Sequence, residues 1–373
     1  MSSDRAGVRL RRGRVIGVLA ERPGAAELEV EVDGDEDGDR ARALVYPELV
    51  GPVRTGDTVL LNTGAVALGL GTGGLHLVVA VEGRVQTELA PGSHTMKARY
   101  LPHQIAVTTV EETHRDAIEG SAGLRGTPVV CAPLHSMVAP IAAGARAAGA
   151  ERVAYVMTDG ACLPGPLSRL VPRLRDTGLL DGWITCGQAF GGELEAITVW
   201  TALLAAVEVL EADVVIVADG PGNLGSDTTW GVTALGSGHA LDAAETLGGR
   251  PVAALRISFA DERERHHGVS HHSLTILERV ATCQANVVVP ALEGSEREVV
   301  WDALRSRRLE ERHRLVEADG RPALEELERA AVPVESMGRT AAQDPVFFLA
   351  AGAAGVVAAR MAAGSKAWRH DDA

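Results

Sequence analysis

The chain has 373 residues, 46% of them hydrophobic, and sets 36 basic side chains against 50 acidic ones for a formal net charge of −14. Its length exceeds what one hydrophobic core usually organises, so two domains are expected, and its apolar content is that of a folded globular protein. The acidic balance argues against non-specific partnership with nucleic acid or anionic membrane, because both would repel such a surface.

From the N-terminus, residues up to about 90 read as β structure. The runs VRLRRGRVIGVLAE, AELEVEVDGD, RARALVYPEL, DTVLLNTGAVAL and LHLVVAVEG are rich in β-branched residues, partly alternating, and punctuated by Gly, Pro and Asp. They predict a small antiparallel barrel or sandwich as a β-rich domain over residues 1–95. The acidic tract 33–39 lacks the ligand spacing and closing glutamate of an EF-hand and reads as a solvated hairpin tip. There, or beyond Trp368, limited proteolysis is expected to cut first. No apolar leader follows the first basic residues, and the apolar helical pattern at 194–210 is interrupted by Glu195 and Glu208. Neither secretion nor a membrane span is expected, and the location is expected to be cytoplasmic. Lys97 and Lys366 are the only lysines. Lys97, in GSHTMKARYLPHQ, is therefore a candidate anion ligand where a compact ammonium is needed, with a chance surface survivor as the bland alternative.

After about residue 125 the rhythm becomes strand, loop, helix. TPVVCA, RVAYVMT, GWITC, DVVIVAD, PVAALRISF and ANVVVPA are nearly continuous apolar runs, as expected of parallel strands covered on both faces. Helical patterns at 135–148, 166–177, 193–210, 238–247 and 271–283 alternate with them, followed by a charged helix over 295–329 and an apolar Ala/Gly-rich helix over 344–361. The fold class expected is α/β, with a parallel doubly wound sheet as the body over 96–365 and a tail at 366–373.

Ligands of open parallel sheets bind at the carboxyl ends of the strands. The strands here lead to Pro133 and His135, to Asp159 and Gly160, to Gly187 and Gln188, to Asp219, and to Asp261, so five loops are expected to share one rim. Loop 218–231, ADGPGNLGSDTTWG, carries Gly220, Gly222 and Gly225 directly after a strand, with Asn223, Ser226, Asp227 and Thr228 among them. Glycines let backbone amides approach an anion and the hydroxyls add donors. The spacing matches neither a P-loop nor GxGxxG. A plain turn with Asp219 capping a helix is the alternative.

The stretch 263–273, RERHHGVSHHS, holds four histidines within seven residues. Imidazole moves protons near neutral pH and is the commonest metal ligand, and adjacent imidazoles are hard to satisfy in a core. Ser270 is placed to cap a helix carrying His271 and His272, and the strand PVAALRISF is expected to neighbour DVVIVAD. The catalytic candidates are His266, His267, His271 and Asp159. The ligand-binding candidates are Lys97, Gly220, Gly222, Asn223, Gly225, Asp227, Thr228 and Arg265. Two imidazoles with Asp159 or Asp219 would suit zinc or iron, but HExxH is absent, so no metal or cofactor is assigned. Cys131, Cys162, Cys186 and Cys283 form no CxxC pair and read as buried thiols, with Cys186 a weaker candidate nucleophile. No GxSxG appears. Glu193 and Glu195 are expected to open a helix.

Two functions fit these features. One is an enzyme acting on a small phosphate- or carboxylate-bearing metabolite by histidine-assisted acid/base chemistry, with or without a metal. The other is a non-catalytic nucleotide or metabolite sensor or assembly module using the same crevice. The expected partner is a small anionic molecule rather than nucleic acid or membrane, with a homo-oligomer possible.

The stretches GSHTMKARYLPHQ, VMTDGACLPG, GQAFGGELEA, GPGNLGSDTTWG, RISFADERERHHGVSHHSLT and SMGRTAAQDPVFFLAAGAAG are spread along the chain from Gly92 to Gly355. In them the sequence resembles an uncharacterised bacterial family catalogued as domain of unknown function 3866. The resemblance implies no activity, cofactor or catalytic residue.

Overall fold

A computed structural model describes residues 8–33, 40–69, 73–84 and 92–371, the side chains only as far as residue 364. Most of the acidic tract, 34–39, lies outside the described residues. The chain forms two compact units, Met1–Val107 and Thr108–Ala373.

In the first unit β1 (Leu10–Arg22), β2 (Ala25–Val32), β3 (Arg40–Val45), β4 (Thr58–Asn62) and β5 (Leu75–Val81) close into a barrel of order β1-β2-β3-β5-β4. Each strand coincides with one of the five runs that the sequence marks, β1 and β2 each extending one residue past theirs. Val15, Leu28, Val30, Ala43, Val59, Leu61 and Val78 fill the interior, the alternate residues of pleated strands. The barrel is not wholly antiparallel: β3 and β5 run parallel. A ring with an odd number of strands cannot alternate direction all the way round, so at least one pair must be parallel. A short hairpin, β6 (Thr95–Lys97) with β7 (Ile105–Val107), ends the unit and sets Lys97 opposite Ile105.

The second unit is built on β8 (Pro128–Cys131), β9 (Val153–Thr158), β10 (Gly182–Thr185), β11 (Leu194–Glu195), β12 (Val214–Asp219) and β13 (Arg250–Ala254). A small antiparallel hairpin, β14 (Ile257–Ser258) and β15 (Gly268–Val269), precedes β16 (Asn286–Pro290) and β17 (Arg314–Ala318). The eight-stranded parallel sheet has the order β11-β10-β9-β12-β8-β13-β16-β17. Val129, Cys131, Val215 and Val217 pack with the helices Val199–Glu208, Gly236–Thr246 and Gly294–Ser306. Val130, Ala132, Ile216 and Ala218 pack with Val138–Ala147, Arg321–Arg329 and Pro345–Asp371. Burial on both faces is why these strands lack polar alternation.

Three expectations are corrected. First, β8 lies between β12 and β13, so the strands before the glycine loop and the histidine stretch are not neighbours. Second, Glu193 and Glu195 do not open a helix: Leu194–Glu195 is an edge strand, and the Glu195 carboxylate accepts hydrogen bonds from Thr185 Oγ1 at 2.7 Å and Gly191 N at 2.6 Å. These neutral donors hold it on the sheet, and the helix begins at Val199, capped by Thr198. Third, 295–329 is helix, strand and helix. The edge strand β17 is half-exposed and carries charges, which makes RLVEA resemble the helices beside it.

The segment Pro345–Gly364 is long and apolar enough to cross a membrane by length and composition, but most of it is buried within the protein. Its small residues allow close helix packing. A Cβ on Gly144 would strike the carbonyl of Gly352.

Candidate functional site

After β13 the chain makes the β14–β15 hairpin and returns into the helix His271–Thr275. Ser270 N donates to the Arg256 carbonyl at 2.9 Å, and Arg256 N donates to Ser273 Oγ at 3.1 Å, which fixes the base of the hairpin. His266 sits in a 3₁₀ turn, Glu264–His266, while His271 and His272 occupy the first turn of the helix. Ser270 caps that helix by accepting from His272 N, and its Oγ lies 2.9 Å from His266 Nδ1. One buried hydroxyl therefore holds both halves of the cluster. Side-chain nitrogens of His266, His271 and His272 lie within 4.8 Å of one another. His271 Nε2 and His272 Nε2 are 3.1 Å apart, and the buried His272 Nδ1 has no hydrogen-bond partner among the described residues.

Burial, followed by the Arg256 guanidinium, pushes the His266 imidazole down to about 3. Burial and then His271 push His272 down to about 4. His271 is lowered as well, by burial and then by Arg265. All three rings are therefore neutral at pH 7 and offer lone pairs. Around them Arg256 and Arg263 both pair with buried Asp261, at 2.9 and 2.7 Å, and Arg339 reaches the same carboxylate at 3.5 Å. The hydrogen bonds of Arg263 hold Asp261 well below the usual carboxylate range. Ser258 Oγ and Arg339 Nε both donate to Asp344, tying the hairpin to the segment before the last helix. Arg265 pairs with Asp227 of the glycine loop at 2.5 Å.

A second polar group forms at the end of β12. Asp219 Oδ1 accepts from Thr158 Oγ1 at 2.6 Å and Gly160 N at 3.0 Å, and Oδ2 accepts from Asn223 Nδ2 at 2.8 Å. Burial raises the Asp219 carboxyl all the same. A Cβ on Gly160 would lie 2.5 Å from Asp219 Oδ2, so only glycine fits there. Asp159 is exposed and accepts from Gln188 N at 2.8 Å. The loops after β9, β10 and β12 thus meet. The glycine loop also reaches the trio, since a Cβ built on Gly225 would lie 3.5 Å from His272 Nε2.

Other candidates behave differently. His267 is exposed and packs edge-on against Phe259, with ring centroids 5.4 Å apart, and it takes no part in the trio. The helix starts at His271, so nothing turns His267 toward it. Gly220 backs onto Met157 and Cys162, and Gly222 turns the chain at φ 96°. Beyond Gly225 the loop closes as a small hairpin, Gly225 bridging Val232. There Ser226 Oγ accepts from Thr228 N and Thr228 Oγ1 from Gly231 N, so two amides of the expected anion cradle are already used. Lys97 is buried on β6 of the first unit.

His135 is a satisfied core histidine. Its ring nitrogens lie 3.2 Å from Tyr155 Oη and 2.8 Å from Ser168 Oγ, and burial lowers it to about 4. All four cysteines are free, and burial pushes the Cys162 and Cys283 thiols up to about 12. A cavity of about 280 Å³ lies at the opposite, amino edge of the sheet, lined by Arg125, Pro128, Glu208 and Asp213. Its Arg125 and Glu208 pair with each other at 2.9 Å. The trio, with its neutral imidazoles and arginines, has the stronger claim to chemistry. The sequence candidates omit His272, Arg256 and Asp261; the signal available for His272 is its place in the first turn after a capping serine.

A family model described as "Protein of unknown function (DUF3866)" matches residues 42–355. No curated protein and no solved structure matches the chain.

Proposed function

The chain belongs to the family described as protein of unknown function (DUF3866), and from its site we propose an enzyme that acts on a small phosphate- or carboxylate-bearing metabolite by histidine-assisted acid/base chemistry. The observation that carries this reading is the convergence of His266, His271 and His272 within 4.8 Å beside Arg256, Arg263 and Arg265. Neutral imidazoles accept a proton at pH 7, and arginines attract and orient an anion. His271 is the least buried of the three and so the best placed to exchange a proton with a ligand. Asp159 is a second titratable group on the neighbouring rim. Clustered titratable groups are costly to maintain in a site that only binds. Four free cysteines suit a reducing, cytoplasmic setting.

The test is a panel of phosphate and carboxylate metabolites incubated with the full chain, with products followed by mass spectrometry. Conversion of at least one compound is expected, and His271→Ala should lower kcat by roughly 10²- to 10⁴-fold while ligand still binds. Tight binding with no product from any ligand would favour a sensor and overturn the enzyme.

A further inference from the structure

We propose that His266, His271 and His272 form a three-imidazole site for a divalent transition-metal ion, zinc foremost, with an open position that takes an anionic oxygen. This rests on the trio of the enzyme reading and changes how it would act: an imidazole nitrogen bound to an ion no longer accepts a proton, so with the ion in place the acid/base role would pass to a water held by the ion. Two imidazole nitrogens on one tetrahedral zinc stand about 3.3 Å apart, given metal–nitrogen bonds of about 2.0–2.1 Å. His271 Nε2 and His272 Nε2 are already 3.1 Å apart. With the trio within 4.8 Å, the third nitrogen has at most about 1.5 Å to travel to the tetrahedral spacing. Ser270 engages His266 through Nδ1, which leaves Nε2 as the free nitrogen of that ring. Such partners at the far nitrogen orient ligating histidines.

The chemistry of the donors selects the ion. Three imidazoles and no carboxylate suit zinc, copper or nickel, and do not suit magnesium or calcium, which prefer oxygen. Without an ion, the three rings are held by the Ser270 bond to His266 Nδ1 and by the His271–His272 N···N contact, in which the two facing nitrogens share one proton. An ion seated between those two nitrogens would use both lone pairs. The charge around it then dictates what completes the site. Arg256, Arg263 and Arg265 face Asp261 and Asp227, a surplus of one positive charge among these groups. A dication is disfavoured there unless it carries an anion, so phosphate or carboxylate oxygen as fourth ligand strengthens its binding.

The experiment uses the full chain purified without chelator, analysed for metal, then stripped and titrated with Zn²⁺ and with Co²⁺ as the coloured probe. The expected result is one ion per chain and the visible absorption of tetrahedral Co²⁺, shifting when inorganic phosphate is added. His271→Ala and His266→Ala should each weaken Co²⁺ binding at least tenfold, and His267→Ala should leave it unchanged. Because His266 is buried, circular dichroism accompanies each variant, and the half-buried His271 is decisive if the other fails to fold. Co²⁺ binding that is absent, or equally tight in His271→Ala, overturns the site. Turnover that survives complete metal removal also overturns the metal's part and leaves the enzyme standing. Stoichiometric metal without turnover of any phosphate or carboxylate does the reverse.

Discussion

Ser270 illustrates how much one side chain organises here, because the same hydroxyl caps a helix and anchors His266. Ser270→Ala should cost about 1 kcal/mol as a lost cap and, on the metal proposal, weaken Zn²⁺ binding by roughly 10- to 100-fold as a lost ligand-orienting contact. Equilibrium denaturation and metal titration of the same variant check both values. His135 gives the residue-scale pH dependence. Its pKa falls from 6.5 in the unfolded chain to about 4 in the folded one, so between those values the unfolded chain binds the additional proton. Stability from this residue is complete above about pH 6.5 and is lost as pH falls toward 4, by about 3 kcal/mol at most. The stability–pH curve of His135→Gln should be flatter than the parent's across that window, and parallel curves would contradict the assignment.

At the scale of elements, the β14–β15 hairpin is held by ion pairs of unequal worth. Arg256 and Asp261 are both buried, with side chains 10% and 3% exposed, whereas Asp227, the partner of Arg265, is 82% exposed. Removing one member of a buried pair strands the other charge, so Asp261→Ala should destabilise by about 3–5 kcal/mol. Asp227→Ala should cost less than about 1 kcal/mol. Urea denaturation of the two variants side by side tests the contrast, and equal losses would show that the hairpin is not anchored by Asp261. The last helix depends on the absence of side chains: a Cβ on Gly352 would collide with Ala323. Gly352→Val is expected to overpack that contact and cost roughly 3 kcal/mol, seen as a lowered Tm.

For the whole molecule, the two units have separate hydrophobic cores. The barrel's core residues all lie between Val15 and Val81, and those of the body begin at Val110. Every member of the trio and of its arginine rim belongs to the second unit. A fragment of residues 108–373 should therefore fold and bind Zn²⁺ with the stoichiometry of the full chain. Circular dichroism and metal analysis of the fragment decide this, and an unfolded fragment would show that the body depends on the barrel.

The sequence by itself determined the elements whose burial leaves a local signature. Alternation marks the five barrel strands, continuous apolar runs mark the doubly covered strands, and a serine before paired histidines marks the cap. It also placed the histidines in one stretch beside Arg265. Tertiary structure alone decided which of them converge. His266 and His267 are neighbours in the chain, yet the turn sends one ring to Ser270 and the other to Phe259. Likewise the insertion of β8 between β12 and β13, the edge strand β17, and the reach of Arg339 to Asp261 depend on partners distant in sequence. Local propensity reports which surfaces a segment must bury, but which partner buries them is fixed only when the whole chain packs.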